Sequence, residues 1–454
     1  ERADLLLRLA AAVWRTGRWE EARERFADAA AAARDAGAPE LLARAALGHS
    51  GGAWERFGTE DPASVALLEE ALATLPAEDS PLRARVLSRL GGVLYYSPDS
   101  QERSPALVVD AIDMARRTGD PEALVAALSA SQYAFWRPGQ GDVRLAYVDE
   151  LVELCEGLGD LEAAAEARAW RVIVGLELCR RDQAERDMRR HAELAERLGQ
   201  PELIVHAAAF TAMLALLDGR WEEAEQAAEA VLSRGARSEA PDALQFFGVE
   251  MIVLRGEQGR LGELRPHFER LVREVGALPG WRTALAWAHV QSGEPEQALA
   301  TLADLRADSF AALPFDANFD AALCIVSHIA AELGDAELAA EVGPLLRPYR
   351  DVWCVLGPAP ATIGPVAYSV GLCALVAGDP AAAAEDFELA LERAQAMRSA
   401  PYVARAHAGL AEALGRLGPE HRDRAARHGD EALGMAERLG MVRLTEALRG
   451  RAVA

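Results

Sequence analysis

The chain has 454 residues, with 48 basic and 71 acidic side chains, a formal net charge of -23 and no lysine. Such a charge repels phosphate backbones and anionic lipid surfaces, so we expect neither direct nucleic-acid binding nor membrane association. The lack of lysine excludes a Walker A loop and a Schiff-base enzyme. Hydrophobic residues make up 51% of the chain and aromatic residues only 6%, which favours packed helices over strands.

The sequence Gly-Arg-Trp-Glu-Glu-Ala occurs at residues 17–22 and again at residues 219–224, and weaker copies recur along the chain. In chain order, the predicted turns within helical hairpins are Gly17, Gly58, Pro98, Gly139, Arg180, Gly219, Gly259, Gly293, Gly334, Gly378 and Gly418. Their spacing is about 40 residues, which is typical of helical-repeat proteins. We therefore expect an all-α chain of about eleven hairpins, or roughly 22 helices.

A second class of turn links one hairpin to the next, as at residues 118–122 and 198–202. Each of these linkers has a glycine followed two positions later by Pro-Glu. Glycine takes the left-handed backbone that ends a helix, and proline with glutamate favours the first turn of the next one. The helix ends are thus encoded locally.

Small residues recur seven positions before most of the hairpin turns, and alanine recurs five positions after many of them. Small residues at matching places let antiparallel helices approach closely, and stacked hairpins then share a core. We expect residues 1–454 to form a single α-solenoid, with irregularities or hinges at 306–319 and 352–365. The uncharged run 352–378 is long enough for a membrane span, but its prolines and glycines argue against one.

The chain resembles the tetratricopeptide repeats over essentially its whole length. The resemblance rests on the small-residue positions, the Gly-x-Trp-Glu-Glu-Ala turn and the phenylalanines Phe26 and Phe387. The resemblance implies a right-handed superhelix with a concave groove. The units depart from the family's length, because they run near 40 residues rather than about 34. Gln132, Ile173 and Ile252 also stand where a small residue is expected.

The long units and their A-R-x-x-G-x-P-E linkers also resemble the sensor region of large bacterial ATPase regulators such as the maltose-regulon activator. In those regulators an NTPase module precedes the repeats and a helix-turn-helix module often follows them. Neither module is present in this sequence. The resemblance therefore implies that the chain is the sensing part of a larger regulator.

The tetratricopeptide resemblance places positions three, six and ten residues before each turn on the groove. At these positions stand Trp14, Glu55, Tyr95, Trp136 and Glu177 (three before), Tyr133, Met213, Trp287 and His328 (six before), and Trp170 and Tyr368 (ten before). Aromatic rings suit stacking on ligands or peptides, whereas plain core packing is the alternative for each ring. The candidate pocket is the cluster Tyr95, Tyr96, Tyr133, Phe135, Trp136, Arg137 and Trp170, which spans adjacent repeats.

Residues 48–52 read Gly-His-Ser-Gly-Gly and match the G-x-S-x-G nucleophile elbow of serine hydrolases. That elbow joins a strand to a helix, whereas the residues before Gly48 predict a helix. A Gly-Gly pair also recurs at residues 91–92, forty positions after the pair at 51–52. We therefore interpret these glycines as helix-packing positions, and a hydrolase using Ser50 is a remote alternative.

The five cysteines form no C-x-x-C pair, and their odd number argues against a disulfide framework. A reducing cytoplasm is the expected compartment. Residues 1–17 predict an amphipathic helix rather than a secretory signal, and the chain can be a fragment of a longer protein. His421 and His428 share one helix face without an evident third ligand, so we expect no metal site and no cofactor.

The leading hypothesis is a non-catalytic sensor or scaffold whose groove binds a small-molecule effector or a protein segment. Ligand binding would change the curvature of the solenoid or its self-association. Such a change requires that the ligand bind one arrangement of the repeats more tightly than the other. The alternative is a stand-alone adaptor that holds two proteins together. A homo-oligomer is compatible with both hypotheses.

Overall fold

The computed structural model describes residues 1–16, 18–51, 61–97, 102–238, 243–274 and 280–453. These ranges contain 23 α-helices and one pair of β-strands. The elements are α1 (Arg2–Trp14), α2 (Trp19–Asp35), α3 (Pro39–His49), α4 (Pro62–Thr74), α5 (Pro81–Val93), α6 (Arg103–Thr118), α7 (Pro121–Ala134), α8 (Gly141–Leu158), α9 (Leu161–Glu177), α10 (Arg181–Leu198), α11 (Pro201–Asp218), α12 (Trp221–Ser238), α13 (Ala243–Glu257), α14 (Arg265–Glu274), α15 (Gly280–Gln291), α16 (Pro295–Arg306), α17 (Phe319–Leu333), α18 (Ala336–Leu346), β1 (Trp353–Leu356), β2 (Ala361–Pro365), α19 (Val366–Val376), α20 (Pro380–Ala396), α21 (Ala400–Leu417), α22 (Arg422–Leu439) and α23 (Val442–Val453).

The all-α fold class is confirmed. Each of the eleven predicted turns falls between two consecutive helices, from α1 and α2 to α21 and α22, and α23 follows them. Gly17, Gly58 and Pro98 lie outside the described residues. The predicted turn chemistry is visible around α11, where Gly199 and Gly219 adopt φ of 66° and 76° and Pro201 begins the helix.

The helices group into two compact units. Unit 1 comprises Glu1–Trp136 with Val143–Ala167, and unit 2 comprises Arg137–Asp142 with Arg168–Ala454. Within each unit, successive hairpins pack against their neighbours, as expected for helical repeats. A single solenoid over residues 1–454 stays a prediction.

Glycines in unit 1 allow its helices to approach one another closely. Phe26 of α2 is buried, and its ring lies where a Cβ atom on Gly48 of α3 would come within 2.2 Å. A Cβ atom on Gly91 of α5 would come within 2.5 Å of Val108 of α6. Contacts this short leave room only for a hydrogen atom on the glycine. The packing interpretation is therefore confirmed for Gly48 and Gly91. It is wrong for Gly92, where a Cβ atom would meet nothing within 4 Å. Gly52 lies outside the described residues.

The segment 352–365, predicted to be irregular, folds as a β-hairpin in the interior of unit 2. Trp353 pairs with Pro365 and Leu356 pairs with Ala361 in antiparallel register. The hairpin packs against α11, α13, α17, α19 and α20, and Trp353 and Ala361 are fully buried. No strand is predicted here from the sequence, so the expected all-helical arrangement is corrected at this segment. Enclosure by apolar helices accounts for the absence of charge in this run.

The last helices of unit 2 pack against its first helices. The Arg181 guanidinium, at the start of α10, donates a 2.7 Å hydrogen bond to the carbonyl oxygen of Met397. Trp221 Nε1, at the start of α12, donates a 2.6 Å hydrogen bond to the carbonyl oxygen of Leu439. These bonds join residues 216 and 218 positions apart. They close unit 2 on itself.

Among the described helices, Pro201–Asp218 is long and apolar enough to cross a membrane by length and composition. The protein itself buries 56% of its apolar window. Its apolar character is thereby explained by its place in the core of unit 2, where it also contacts β2.

The linker 306–319 is packed against the protein. Ser309 and Phe310 adopt left-handed backbone with φ of 56° and 65°, and the Phe310 side chain is buried. Burial raises the pKa of Asp316 to about 6. Burial, helped by the charge of Glu177, raises the pKa of Asp320 to about 7. A hinge at this linker stays a prediction.

Candidate binding groove

One face of each of α3, α5 and α7 lines a cavity of 810 Å³ in unit 1, called here the groove. On α5 the lining positions are 81, 82, 85, 88, 89, 92 and 93, a spacing of three and four that marks one helix face. The complete lining is Arg23, Phe26, Arg44, Leu47, Gly48, Ser50, Asp61, Pro81, Leu82, Arg85, Ser88, Arg89, Gly92, Val93, Tyr96, Asp120, Glu122, Ala126, Ser129, Ala130, Tyr133 and Glu166.

Small side chains at regular positions create this space. Two positions recur in the lining, six and ten residues before the second, third and fourth predicted turns. The described residues at these positions all line the groove: Gly48, Ser88, Gly92, Ser129 and Tyr133. The remaining position, Gly52, lies outside the described residues. Four of these five side chains are glycine or serine, so the hairpins can pack while the inner face stays open. Around these three turns the two positions therefore face the groove.

At the third and fourth turns, the position three residues before the turn does not face the groove. Trp136 is 2% exposed and Tyr95 is 9% exposed, and neither lines the cavity. The Tyr95 hydroxyl donates a 2.5 Å hydrogen bond to the Trp136 carbonyl oxygen, and the two rings stack with centroids 6.3 Å apart. The Arg144 guanidinium lies 5.5 Å from the centre of the Trp136 ring. Placing Tyr95 and Trp136 on the groove surface is thus corrected, because these rings pack inside unit 1.

Tyr133 differs from its two neighbours. Its ring contacts those of Tyr95 and Trp136 at centroid distances of 6.2 and 6.0 Å, but it also lines the groove. Tyr96, another member of the candidate aromatic cluster, lines it as well. Tyr96 and Tyr133 are therefore the tyrosines that line the groove, and Tyr95 and Trp136 are the buried rings that pack against Tyr133.

The other predicted site residues lie elsewhere. Trp170 of α9 is 1% exposed and belongs to unit 2, so its ring is a packing ring rather than a groove surface. Arg137 is half-buried and also belongs to unit 2. Trp14 is half-buried at the end of α1, 6.5 Å from the ring of Trp19.

Of the two acidic members of the predicted set, only Glu177 belongs to the described residues. Glu177 ends α9 in unit 2, and its charge acts on Asp320. Glu55 lies outside the described residues. Glu177 does not line the cavity.

Charged side chains of both signs border the groove. Arg44, Arg85 and Arg89 come from α3 and α5. Asp120, Glu122 and Glu166 come from the start of α7 and from α9. The arginine-bearing helices and the acid-bearing helices are consecutive first helices of their hairpins. The groove therefore changes from positive to negative along the direction in which the repeats stack.

A hydrogen-bonded group forms one wall of the groove. Asp61 precedes α4, where its carboxylate accepts hydrogen bonds from Ser64 N at 3.1 Å and Ser64 Oγ at 2.7 Å. Arg23 Nη2 lies 2.8 Å from Asp61 Oδ2. Burial of Asp61 acts to raise the pKa of its carboxyl, but these hydrogen bonds outweigh it and the pKa lies below its ordinary value. Asp61 is thus a charged N-cap that anchors α4 to α2.

The serine geometry does not match a hydrolase. Ser50 Oγ donates a 2.9 Å hydrogen bond to the carbonyl oxygen of Leu47 on its own helix. His49 Nδ1 lies 3.2 Å from Ser64 Oγ, and that hydroxyl donates to Asp61. A catalytic triad needs histidine between serine and acid so that the imidazole can accept the serine proton. Here Ser64 stands between His49 and Asp61, an arrangement that suits helix capping rather than nucleophilic attack.

Arg85 and Ala126 are groove residues that were not among the predicted site residues. Arg85 lies thirteen positions before the third turn, and Ala126 lies thirteen positions before the fourth. Both are one helical turn further from the turn than the groove-lining residues ten positions before it, and both line the groove. Continuing the same count would have found them, because one helix face repeats every three to four residues. No group of three or more His, Cys, Asp or Glu suited to a metal occurs in the described part of the chain.

No protein-family model matches the chain, and no curated protein matches it. Among solved structures, a Rap protein complexed with competence and sporulation factor is 12% identical over 97% of this chain and 99% of its own, with a TM-score of 0.39. The APC/C hetero-tetramer Cut9-Hcn1 is 13% identical over 99% and 91%, with a TM-score of 0.47. Naa15/Naa10 bound to HypK-THB is 11% identical over 100% of both chains, with a TM-score of 0.24.

Proposed function

We propose that the chain is a non-catalytic helical-repeat binding protein whose groove in unit 1 holds an extended segment of another protein. The observation that carries this proposal is the 810 Å³ space lined by one face of each of three neighbouring first helices. A segment lying across these helices contacts several repeats at once. That is how helical-repeat proteins use their extended concave surfaces.

The composition of the lining favours a protein segment over a drug-like effector. Pockets for such molecules are mostly apolar and contain few polar groups. The groove instead presents four arginines and four carboxylates, with Tyr96 and Tyr133 as its aromatic members. Polar main chain and charged side chains of a peptide can satisfy such a lining.

Two further elements of the proposal come from the sequence. The resemblance to sensor regions of bacterial ATPase regulators favours a signalling or transcriptional regulator, to which groove binding would report. The five cysteines are all free, which fits a reducing cytoplasm. On this view the chain acts through its partner and through attached modules.

The test is a peptide selection on the purified chain with a groove-filling variant. Ala126 is half-buried and lines the groove, so Ala126→Trp places an indole in it. Ala106 is exposed on α6 outside the groove, and Ala106→Trp is the matched control. Peptides selected from a phage-displayed library should lose at least about tenfold in affinity for Ala126→Trp and bind Ala106→Trp like the wild type.

Two outcomes would contradict this function. Selected peptides that bind Ala126→Trp as well as the wild type would place binding elsewhere. A metabolite that raises the melting temperature of the wild type but not of Ala126→Trp, without any selected peptide, would make the groove a small-molecule site instead. Circular dichroism of both tryptophan variants checks that they fold.

A further inference from the structure

The charged residues of the groove divide into those already engaged within the protein and those that are not. Arg23 forms an ion pair with Asp61, and Asp120 caps α7 by accepting a 2.7 Å hydrogen bond from Ala123 N. These groups have a structural role. Arg85 and Glu122 are exposed, and neither forms an ion pair with another described residue.

Arg44 adds to the positive side. It lies on α3, which packs against α5, and its side chain is 58% exposed. Its partner is Glu40 on the same helix, at 3.9 Å between both exposed side chains. An exposed ion pair at this distance contributes little to stability, so Arg44 can exchange Glu40 for a ligand at a small cost in free energy. The positive side of the groove thus has two available guanidiniums, Arg44 and Arg85.

The negative side lies one helix further along. Glu122 is at the start of α7, which packs directly against α5. Neighbouring helix axes are about 8–10 Å apart, and Arg85 and Glu122 occupy the fifth and second positions of their helices. Their backbones are therefore separated by about 10 Å. A segment crossing from α5 to α7 meets first a cation and then an anion.

We infer that the groove selects a dipolar peptide segment, with an acidic side chain over Arg44 and Arg85 and a basic side chain over Glu122. The inference rests on the proposed function and specifies its ligand. In an extended peptide, side chains on one face repeat every two residues, about 7 Å apart. The acid and the base are therefore two to four residues apart in the ligand. A guanidinium holds the peptide carboxylate by paired hydrogen bonds, which gives the site its selectivity.

The chain's overall charge makes this polarity informative. A net charge of -23 favours basic ligands everywhere on the surface. Preference for an acidic side chain at one position therefore requires a local cation. Charge complementarity of this kind sets specificity and register more than total affinity.

The experiment uses four fluorescein-labelled ten-residue peptide mixtures. Positions 4 and 6 are Glu and Arg, Glu and Glu, Arg and Arg, or Gln and Gln, and all other positions are mixtures of Ala, Ser, Leu and Tyr. Fluorescence polarisation with the wild type should show the Glu–Arg mixture binding about tenfold more tightly than the other three. Arg85→Glu should move the preference to Arg–Arg, and Glu122→Arg should move it to Glu–Glu. Arg197→Glu, at an exposed site on α10, makes the same charge change and should leave the preference unaltered.

The outcomes separate the two proposals. If no mixture binds the wild type, the groove is not a peptide site and the proposed function fails. If all four bind equally, or Glu–Glu binds best, the groove holds peptides without the inferred polarity. If Arg85→Glu and Arg197→Glu change binding alike, the effect comes from net charge and the inference is wrong. Both arginines are exposed, so these variants should fold, which circular dichroism verifies.

Discussion

The two units use the same hairpin repeat with opposite results for their inner faces. In unit 1, the positions six and ten residues before the turns hold mainly glycine and serine, and an 810 Å³ groove remains. In unit 2, the equivalent positions include Trp287, His328 and Tyr368, whose rings contact in series at centroid distances of 5.5 and 5.8 Å. The side-chain volume at two repeated positions thus decides whether a repeat presents a surface or a core.

Linker length is the second difference. Described linkers between the hairpins of unit 1 are short turns, such as the one between α6 and α7 at Gly119 and Asp120. In unit 2, the long connection from α18 to α19 folds back as the β-hairpin of β1 and β2. An insertion of this length can fill an inner face that would otherwise be a groove. The comparison predicts that unit 2 is sensitive to changes at its interior, whereas unit 1 tolerates truncation of the side chains along the groove.

The largest expected effect is at Trp353, which is fully buried and packs edge-on against Tyr402 at 5.3 Å between ring centroids. Trp353→Ala should lower the free energy of unfolding by about 3–5 kcal/mol, measured by urea denaturation followed by circular dichroism. Tyr96→Ala, in the groove of unit 1, should cost less than about 1 kcal/mol.

Trp353→Phe sharpens this test, since the buried indole N–H has no hydrogen-bond partner among the described residues. The phenylalanine variant keeps a ring without that unsatisfied donor, so it should be far more stable than the alanine variant. Equal losses for Tyr96→Ala and Trp353→Ala would contradict the contrast between an open and a filled inner face.

Gly48→Ala tests the close helix contact that frames the groove. The added Cβ atom would come within 2.2 Å of the Phe26 ring, so we expect a loss of about 1–3 kcal/mol. Gly92→Ala is the matched control on a neighbouring helix, where a Cβ atom meets nothing within 4 Å. It should stabilise by about 0.5–1 kcal/mol because alanine favours the helix. Urea denaturation measures the free energy of unfolding of both variants. A Gly48→Ala protein as stable as the wild type would refute the packing role.

Glu250 tests how completely the interior of unit 2 excludes water. Its two carboxyl oxygens are buried without a hydrogen-bond partner among the described residues, and burial raises its pKa well above the ordinary value. The folded state therefore holds a proton that the unfolded chain releases near pH 4.5. Stability from this proton is present below that pH and is lost as pH rises toward the raised pKa.

Glu250→Met should consequently be more stable than the wild type at pH 7, by about 1–2 kcal/mol. The gain should shrink toward pH 4. Glu229→Met, at an exposed site on α12, makes the same change and should alter stability by less than about 0.5 kcal/mol. Urea denaturation at pH 4, 5.5 and 7 measures both variants. A gain independent of pH would show that the carboxyl is not protonated in the folded state.

The smallest effect is expected at Asp61 in the wall of the groove. Asp61→Asn keeps a capping oxygen for α4 but removes the charge that pairs with Arg23, so it should cost about 0.5–1 kcal/mol at pH 7. The pKa of Asp61 is lowered in the folded state. Its stabilisation is therefore present above the unfolded value near pH 3.9 and is lost as pH falls through the folded value. Melts at pH 7 and pH 2.5 should show the two proteins differing only at pH 7.

The turns were predictable because they are encoded locally. Gly199 and Gly219 adopt the left-handed backbone at the ends of α10 and α11, and Pro201 starts α11, as the Gly-x-Pro-Glu pattern indicated. The inward or outward direction of a ring was harder to predict. Tyr133 and Trp136 are three residues apart on adjoining turns, yet only Tyr133 reaches the groove, because Trp136 follows the end of α7 and turns inward.

Other features depend on distant residues and left no local signal. The uncharged run around Trp353 is equally compatible with a core helix, a loop or strands, and its partners include α11, which lies more than a hundred positions away in the chain. The availability of Arg85 also depends on which side chains surround it in space. Periodicity alone specifies the face of α5 that carries Arg85, but not the partners of the guanidinium.

The hydrogen bond from Trp221 to the carbonyl oxygen of Leu439 spans 218 positions, and this separation affects how the chain folds. Contacts so distant in sequence require closure of a very long loop before they contribute, so they form late and slowly. Hairpins of unit 1 can form as soon as their residues leave the ribosome, whereas α12 must wait for α22. During synthesis, therefore, the apolar inner helices of unit 2 stay uncovered longest, and this is the interval in which the nascent chain is most exposed to aggregation or to capture by chaperones.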